Sequence, residues 1–392
     1  MRQRGGMGVA AIAAVAAVAV AAPAHGASKK TPAHYRVVRL DTLGGTAAGG
    51  NSINNRGWVT GVSNLSGDQT AHATLWNQGA TVDLGTLGGP NSAVAWPVKS
   101  ENGLIVGISE TTDDQPLGEI FSCPAFFGTP LTGKVCRGFA WRDGAMARMP
   151  TLGGDNSYGA GANDSGEVVG WAENAVHDGT CAPPQVLQFH AVIWRPKSGD
   201  LVDLPPLGND SSSAATALNE RSQVVGISGR CDRARGRFSA AHAVLWQDGV
   251  PRELPNLGGV AWNTPTAINH HGDAAGFSDF AGDQGGGLNA HAVLWPRDGG
   301  IVDLGVIGDD PLSLAFGIND SGQIVGQSIG AAGSRAFLYE DGVMSNLNDL
   351  VDAGSPFLIY ANDINDAGEI AGQACTACDT TETFAVELIP VP

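Results

Sequence analysis

The sequence predicts an all-β fold, a seven-bladed β-propeller whose ring is closed by the N-terminal strand pairing with the last blade. Three observations predict it. A glycine-framed strand recurs seven times, the repeating unit of about 50 residues holds four short strands, and the two chain ends each supply what the other lacks.

The glycine-framed strand reads GWVTG from Gly57, GLIVG from Gly103, GEVVG from Gly166, SQVVG from Ser222, GDAAG from Gly272, GQIVG from Gly322 and GEIAG from Gly368. A second phrase alternates with it: HATLW at His72, GFAWR at Gly138, HAVIW at His190, HAVLW at His242 and His291, and RAFLY at Arg335. A third phrase follows each, as in VDLGTLGG, ARMPTLGG and RELPNLGG. Strand-rich units of this period suit propeller blades.

The ends close the ring. YRVVRLDTLGG, from Tyr35, is a third phrase with no second phrase before it, and TFAVELIP, from Thr383, is a second phrase with no third after it. Pairing them completes a seventh blade and removes exposed sheet edges. An open β-solenoid, the competing architecture, would not need complementary ends.

Within each unit, IND-S-G-QIVG is one hairpin and HAVLW–DG–VDL the other. The turn asparagine recurs as Asn54, Asn163, Asn219, Asn269, Asn319 and Asn365, and both Asn and Gly tolerate the left-handed backbone of tight turns. The rings of Trp76, Trp141, Trp194, Trp246, Trp295 and Tyr339 close the second phrase and are expected to pack between blades. A sugar-stacking role for them would require exposure.

Residues 1–27 read as a secretory signal peptide: Arg2 and Arg4, an apolar run from Val9 to Ala22, then small residues. That run is too short to span a bilayer comfortably, so no transmembrane segment is expected. Residues 28–34 read as a linker and 35–392 as a single propeller. The expected location is therefore secreted, extracellular or periplasmic. Cleavage removes Arg2 and Arg4 and takes the formal charge from −17 to −19. An acidic chain is a poor match for nucleic acid, whose phosphates need basic patches.

Six cysteines fit an oxidising compartment. Cys123 and Cys136 bracket one insertion, Cys181 and Cys231 stand in successive loops, and Cys375 and Cys378 form C-T-A-C. Structural disulfides are the expectation; a bridge across Cys123 and Cys136 would contribute about 3 kcal/mol by loop entropy. Spacing leaves the pairing open. C-T-A-C also admits a redox pair or a haem site, although Asp379 stands where haem attachment wants His.

The triple phrase HAVLW…VDLGTLGG…AxxIND-x-G-x-VVG resembles the HAF-repeat family of predicted extracellular bacterial proteins, over nearly everything from Tyr35 to Pro390. The resemblance implies export and a repeat fold and brings no catalytic residues. The chain departs from the pattern at KSENG, where Ser100 replaces the turn Asn, and at INHHGD, where His270 and His271 replace Asp-Ser.

Propeller geometry puts the tight turns on one face and the loops joining VVG to HAV, with the LGG crossovers, on the other. The long loops, 108–137 and 171–189, and all six cysteines fall on the second face, which therefore reads as a binding face. The expected role is a binding or scaffold module, with no catalysis assigned, for a polysaccharide or protein at the cell surface. The alternative is a propeller hydrolase or lyase acting on extracellular polysaccharide. Phe121, Phe126, Phe127, Glu173 and Asp178 are the ligand-binding candidates on that rim. Glu110, Asp113, Asp114, Glu119, Asp232, Asp279 and Asp283 add further carboxylates, but a glycosidase needs two of them facing across a bond, which sequence cannot place.

His177 beside Asp178 reads as a pair of solvated loop residues. His72, His190, His242 and His291 sit on separate blades, too far apart to share a zinc ion, and are expected to hydrogen-bond within each blade. No metal or other cofactor is expected, calcium being the one possibility that N-D-S-G-E and the acidic balance raise. The EF-hand spacing is missing.

Overall fold

The computed structural model describes residues 34–119, 127, 132–234, 239–282, 289–331, 333–376, 378 and 382–391. The expected signal peptide, Cys123, Phe121, Phe126 and Asp283 lie outside them. Seven four-stranded antiparallel sheets form a ring, as the repeat predicts. Counted along the chain, blades 1 to 6 span residues 44–83, 88–148, 153–204, 212–254, 264–303 and 312–346. Blade 4 shows the plan: Ser212–Leu218 innermost, then Val224–Gly229, His242–Gln247 and, outermost, Val250–Leu254. Blade 7 takes Phe357–Ile364, Ile370–Cys375 and Phe384–Val391 from the C-terminus and its outermost strand, His34–Arg39, from the N-terminus. The register runs antiparallel from His34↔Val391 to Arg39↔Val386.

Burial follows from position. Every residue of the inner strand Ser212–Leu218 is buried, whereas the outer strand Val250–Leu254 exposes Val250, Arg252 and Glu253. Inner strands therefore take small residues and outer ones are mostly exposed. Most inner strands carry a bulge, such as the register shift between Ala315 and Gly317, which drives a carbonyl toward the second strand. Gly326 answers it: a Cβ there would come within 2.0 Å of the Leu314 carbonyl oxygen. That close approach explains the second glycine of GQIVG.

The turn asparagines work differently from the expectation. The left-handed residue of each turn is the glycine, Gly322 at φ +79° for example, with Ser222 taking that place in blade 4 at φ 55°. Asn contributes through its side chain. Asn319 Oδ1 accepts from the Gln323 N–H at 2.9 Å, holding its own turn. Its Nδ2 donates to the Asn365 carbonyl of the next blade at 3.0 Å. The same amide-to-carbonyl bond links Asn163 to Asn219, Asn219 to Asn269, Asn269 to Asn319, Asn365 to Asn54, and Asn54 to Ser100. A relay thus circles the ring and skips one junction, after Ser100, where the amide is missing.

Other recurring polar residues serve the same end. The serine after VVG accepts from the crossover of its own blade: Leu43 N–H to Ser63 Oγ, Leu207 to Ser228, and Leu257 to Ser278, each at 2.9 Å. The tryptophans pack between blades as expected, and their indole N–H groups tie down the preceding crossover: Trp76 to the Asp41 carbonyl, Trp246 to Pro205, Trp295 to Pro255. Such rings each remove about 5 kcal/mol worth of apolar surface from water, before entropy is counted. The histidines pair within their blades, as expected, each with an acidic residue of the outer strand: His72 with Asp83, His190 with Asp203, His242 with Glu253 and His291 with Asp303.

If the amide relay joins the blades, Asn319→Ala loses both a turn bond and a blade-to-blade bond and strands a buried carbonyl. Urea unfolding should show a loss of about 2 kcal/mol, against a negligible loss for the exposed neighbour Ser321→Ala. Equal effects from the two would reject the joint.

Candidate functional site

The sequence pointed to the long-loop rim. Glu173 lies on that face but is only 1% exposed. Its carboxylate accepts from the Asn156 N–H at 2.7 Å, Asn156 Nδ2 at 3.0 Å, the Asp155 N–H at 3.1 Å and Gln185 Nε2 at 2.9 Å. Glu110 does the equivalent in blade 2, accepting from Asn91 Nδ2 at 2.7 Å. Both acids anchor the crossover strand beside them. Asp178 organises its own loop, accepting from the Thr180 N–H and hydroxyl and from Gln188 Nε2. Burial raises its carboxyl, and the Ser211 side chain, followed by the Thr180 and Gln188 bonds, outweighs that and holds it at about 2. Phe127 is half-buried and packs on the apolar cluster of Ala93, Ile108 and Tyr158.

What the rim does have is a set of welds between blades. Cys181 and Cys231 form a disulfide joining the long loops of blades 3 and 4. Glu119, from the loop of blade 2, accepts from the Val186 and Leu187 N–H groups of blade 3 at 2.8 and 2.7 Å. Burial, and then the neighbouring Glu173 carboxylate, push the Glu119 carboxyl above its usual range. Its Oε2 is shielded from solvent and has no hydrogen-bond partner among the described residues. Cys375 pairs with Cys378, and Cys136 is disulfide-bonded as well.

The second candidate lies at the other end of the axis, on the tight-turn face, and the sequence reading passed over it. A cavity of about 210 Å³ opens there, lined from several blades by the residues following the turn asparagines and their counterpart Ser100. These are Asn55, Glu101, Asp164, Glu220, His270, Asp320 and Asp366. They make a second relay, each backbone N–H donating to the next blade's side chain: Asn55 to Glu101 at 2.8 Å, Glu101 to Asp164 at 2.6 Å, Asp164 to Glu220 at 2.8 Å, His270 to Asp320 at 2.8 Å, Asp320 to Asp366 at 2.9 Å and Asp366 to Asn55 at 2.8 Å. The remaining junction is the one where His270 offers an imidazole in place of a carboxylate or amide. Burial, and secondarily Asp164, raise the Glu101 carboxyl, although the Asn55 N–H lowers it.

Lys99 reaches the same cavity from the irregular segment that follows the inner strand Gly88–Ala93, where the stretch from Gly88 to the turn residue Ser100 is two residues longer than its blade 1 and blade 3 counterparts. It stands at the apolar position that Ile53, Ile268 and Ile318 fill elsewhere. Its Nζ donates to Asp363 Oδ1 at 2.5 Å and to the Ile364 carbonyl at 2.7 Å, crossing from blade 2 to blade 7. Asp363 is fully buried and also accepts from the Ile53 N–H at 2.9 Å and the Ser52 hydroxyl at 3.2 Å. Burial pushes its carboxyl up, and Lys99 with the backbone donors pulls part of the way back. The signal in the sequence was a lysine at a core position of the repeat. The cavity's acids would favour a cation, yet most already hold a backbone N–H. Among the described residues no three His, Cys, Asp or Glu side chains converge to hold a metal ion.

No family model matches the chain, and no curated protein matches it. Solved structures do. Selenomethionine-substituted virginiamycin B lyase from Staphylococcus aureus aligns at a TM-score of 0.54 with 10% identity, covering 91% of this chain and 100% of that one. A streptogramin B lyase aligns at 0.51 with 11% identity, over 91% and 98%. The β-propeller domain of the Trilobed protease from Pyrococcus furiosus, with its open velcro topology, aligns at 0.52 with 9% identity, over 87% and 92%. At such identities the likeness is one of fold.

Removing Lys99 leaves Asp363 as a buried, unpaired charge. Lys99→Met should cost about 3 kcal/mol at neutral pH, the lower end for a broken buried pair because the lysine is partly exposed. Asp363 has a raised folded pKa, so acid protonates it and relieves the variant first. Thermal melts should show the gap between wild type and variant narrowing as pH falls from 7.5 to 4.5; a gap that widens would refute the pairing.

Proposed function

We propose that this chain is an exported binding and scaffold module of the HAF-repeat kind, presenting the long-loop face of blades 2 to 4 to a polysaccharide or protein at the cell surface. The observation that carries the reading is the weld across blades: Glu119 ties the loop of blade 2 to blade 3, and the Cys181–Cys231 disulfide ties blade 3 to blade 4. Loops joined in this way lose less freedom when they engage a ligand. Disulfides suit an oxidising compartment, and the basic, apolar and small-residue order of residues 1–27 suits export.

Binding is favoured over catalysis because the repeat's recurring serines, asparagines, histidines and tryptophans are spent on holding the ring. A reaction site would show as consensus overridden by chemistry. One observation favours the alternative, a hydrolase or lyase acting on extracellular polysaccharide. Glu119 is a buried carboxyl with a raised pKa beside the Glu173 carboxylate, an arrangement that suits a proton donor. The two lyases of similar fold add nothing to that choice beyond the fold itself.

Incubation of the full exported protein with insoluble and soluble polysaccharides, scored for co-sedimentation and for new chain ends, separates the readings. The expected result is sedimentation without new ends. The double variant Cys181→Ser/Cys231→Ser should stay folded while losing about 4 kcal/mol of stability, and should bind more weakly. New chain ends that vanish in Glu119→Gln would replace the binding reading with an enzyme.

A further inference from the structure

We propose that Cys378 is a site of thiol–disulfide exchange, at which an external thiolate forms a mixed disulfide while the propeller stays folded. The C-T-A-C segment has no part in the long-loop weld. Its bridge joins residues only three apart, so it restrains little chain and ties no blade to another. The Cys181–Cys231 bridge spans 50 residues and two blades.

Access separates the two bridges further. Cys378 is exposed, while its partner Cys375 is 1% exposed at the end of the strand Ile370–Cys375. Cys231 is fully buried, and Cys181 packs with it against Phe189, Ala234 and Trp171. A thiolate has to approach a sulfur along the disulfide axis, so exposed bridges are the labile ones. Among the described cysteines, Cys378 alone is exposed.

The step balances without further reagents. A thiolate of a low-molecular-weight thiol or of a protein dithiol attacks Cys378 Sγ. The bond between the two cysteine sulfurs breaks, the mixed disulfide forms on Cys378, and Cys375 leaves as a thiolate that takes up a proton. The Phe357 carbonyl oxygen, 3.7 Å from Cys375 Sγ, can then accept the new S–H. A second thiolate attacks the external sulfur of the mixed disulfide, the bond to Cys378 Sγ breaks, and Cys378 leaves as a thiolate that takes up a proton while the two external thiols depart as a disulfide, their two electrons now on the two cysteines. The blade does not depend on the bridge, because the ladder from Ile370↔Leu388 to Ala374↔Phe384 continues to hold the strands.

The test exposes the oxidised full chain to graded reduced glutathione, with dithiothreitol in a parallel series, followed by acid trapping and peptide mass spectrometry. Glutathione should appear on Cys378 at a concentration about tenfold below that which opens the Cys181–Cys231 bridge, with tryptophan fluorescence unchanged. Dithiothreitol should carry the same pair to the free dithiol, which distinguishes a dithiol source from a monothiol. In Cys378→Ser, Cys375 should stay unmodified. The proposal fails if the adduct sits on Cys375, if both bridges open together, or if modification appears only once the fluorescence reports unfolding.

Discussion

The side-chain amide of the turn asparagine is the joint on which the ring depends. A propeller brings inner strands together around an axis, where turn carbonyls of one blade face the flank of the next. An unmet carbonyl there would carry a desolvation cost, and an alkyl side chain could not meet it. Asn reaches back to its own turn with the oxygen and forward to the neighbouring blade with the nitrogen, so one residue type sets both the hairpin and the angle to the next sheet. Around this joint the serines hold the crossovers and the indoles cover them.

Such economy leaves the consensus with little to offer a ligand. The individuality of the chain lies in its exceptions, and these are concentrated. Ser100 interrupts the amide relay, His270 interrupts the outer one, and Lys99 turns a core position into one half of an ion pair spanning blade 2 and blade 7. The long loops are the other exception, joined by a disulfide and a carboxylate in place of repeat chemistry. One face is thus varied in its loops and the other in its axial residues.

Much of the architecture was legible because repetition amplifies weak signals. A single IND-S-G hairpin is an ordinary turn, but seven copies with complementary ends count blades and close them. The in-blade pairing of the histidines and the inter-blade packing of Trp246 and Trp295 could be read the same way. What stayed hidden depends on contacts between units. Nothing local says that Asn219 donates to the next blade, that Asp363 awaits a lysine more than 260 residues away, or that Glu173 turns inward to Asn156. Cys181 and Cys231 were candidates, and their pairing waited on knowing which loops are neighbours.

The seam in blade 7 gives the molecule a direction in which it is weak. His34 and Val391 lie opposite each other at one end of an antiparallel ladder, so the chain enters and leaves the propeller at the same point. Tension applied between them peels the strand one rung at a time, as a zipper opens, where a load shared across the ladder would have to shear all its rungs together. A protein tethered by both ends would open at this seam first, while one held by its loops would pass the force through bridged blades and leave the seam slack.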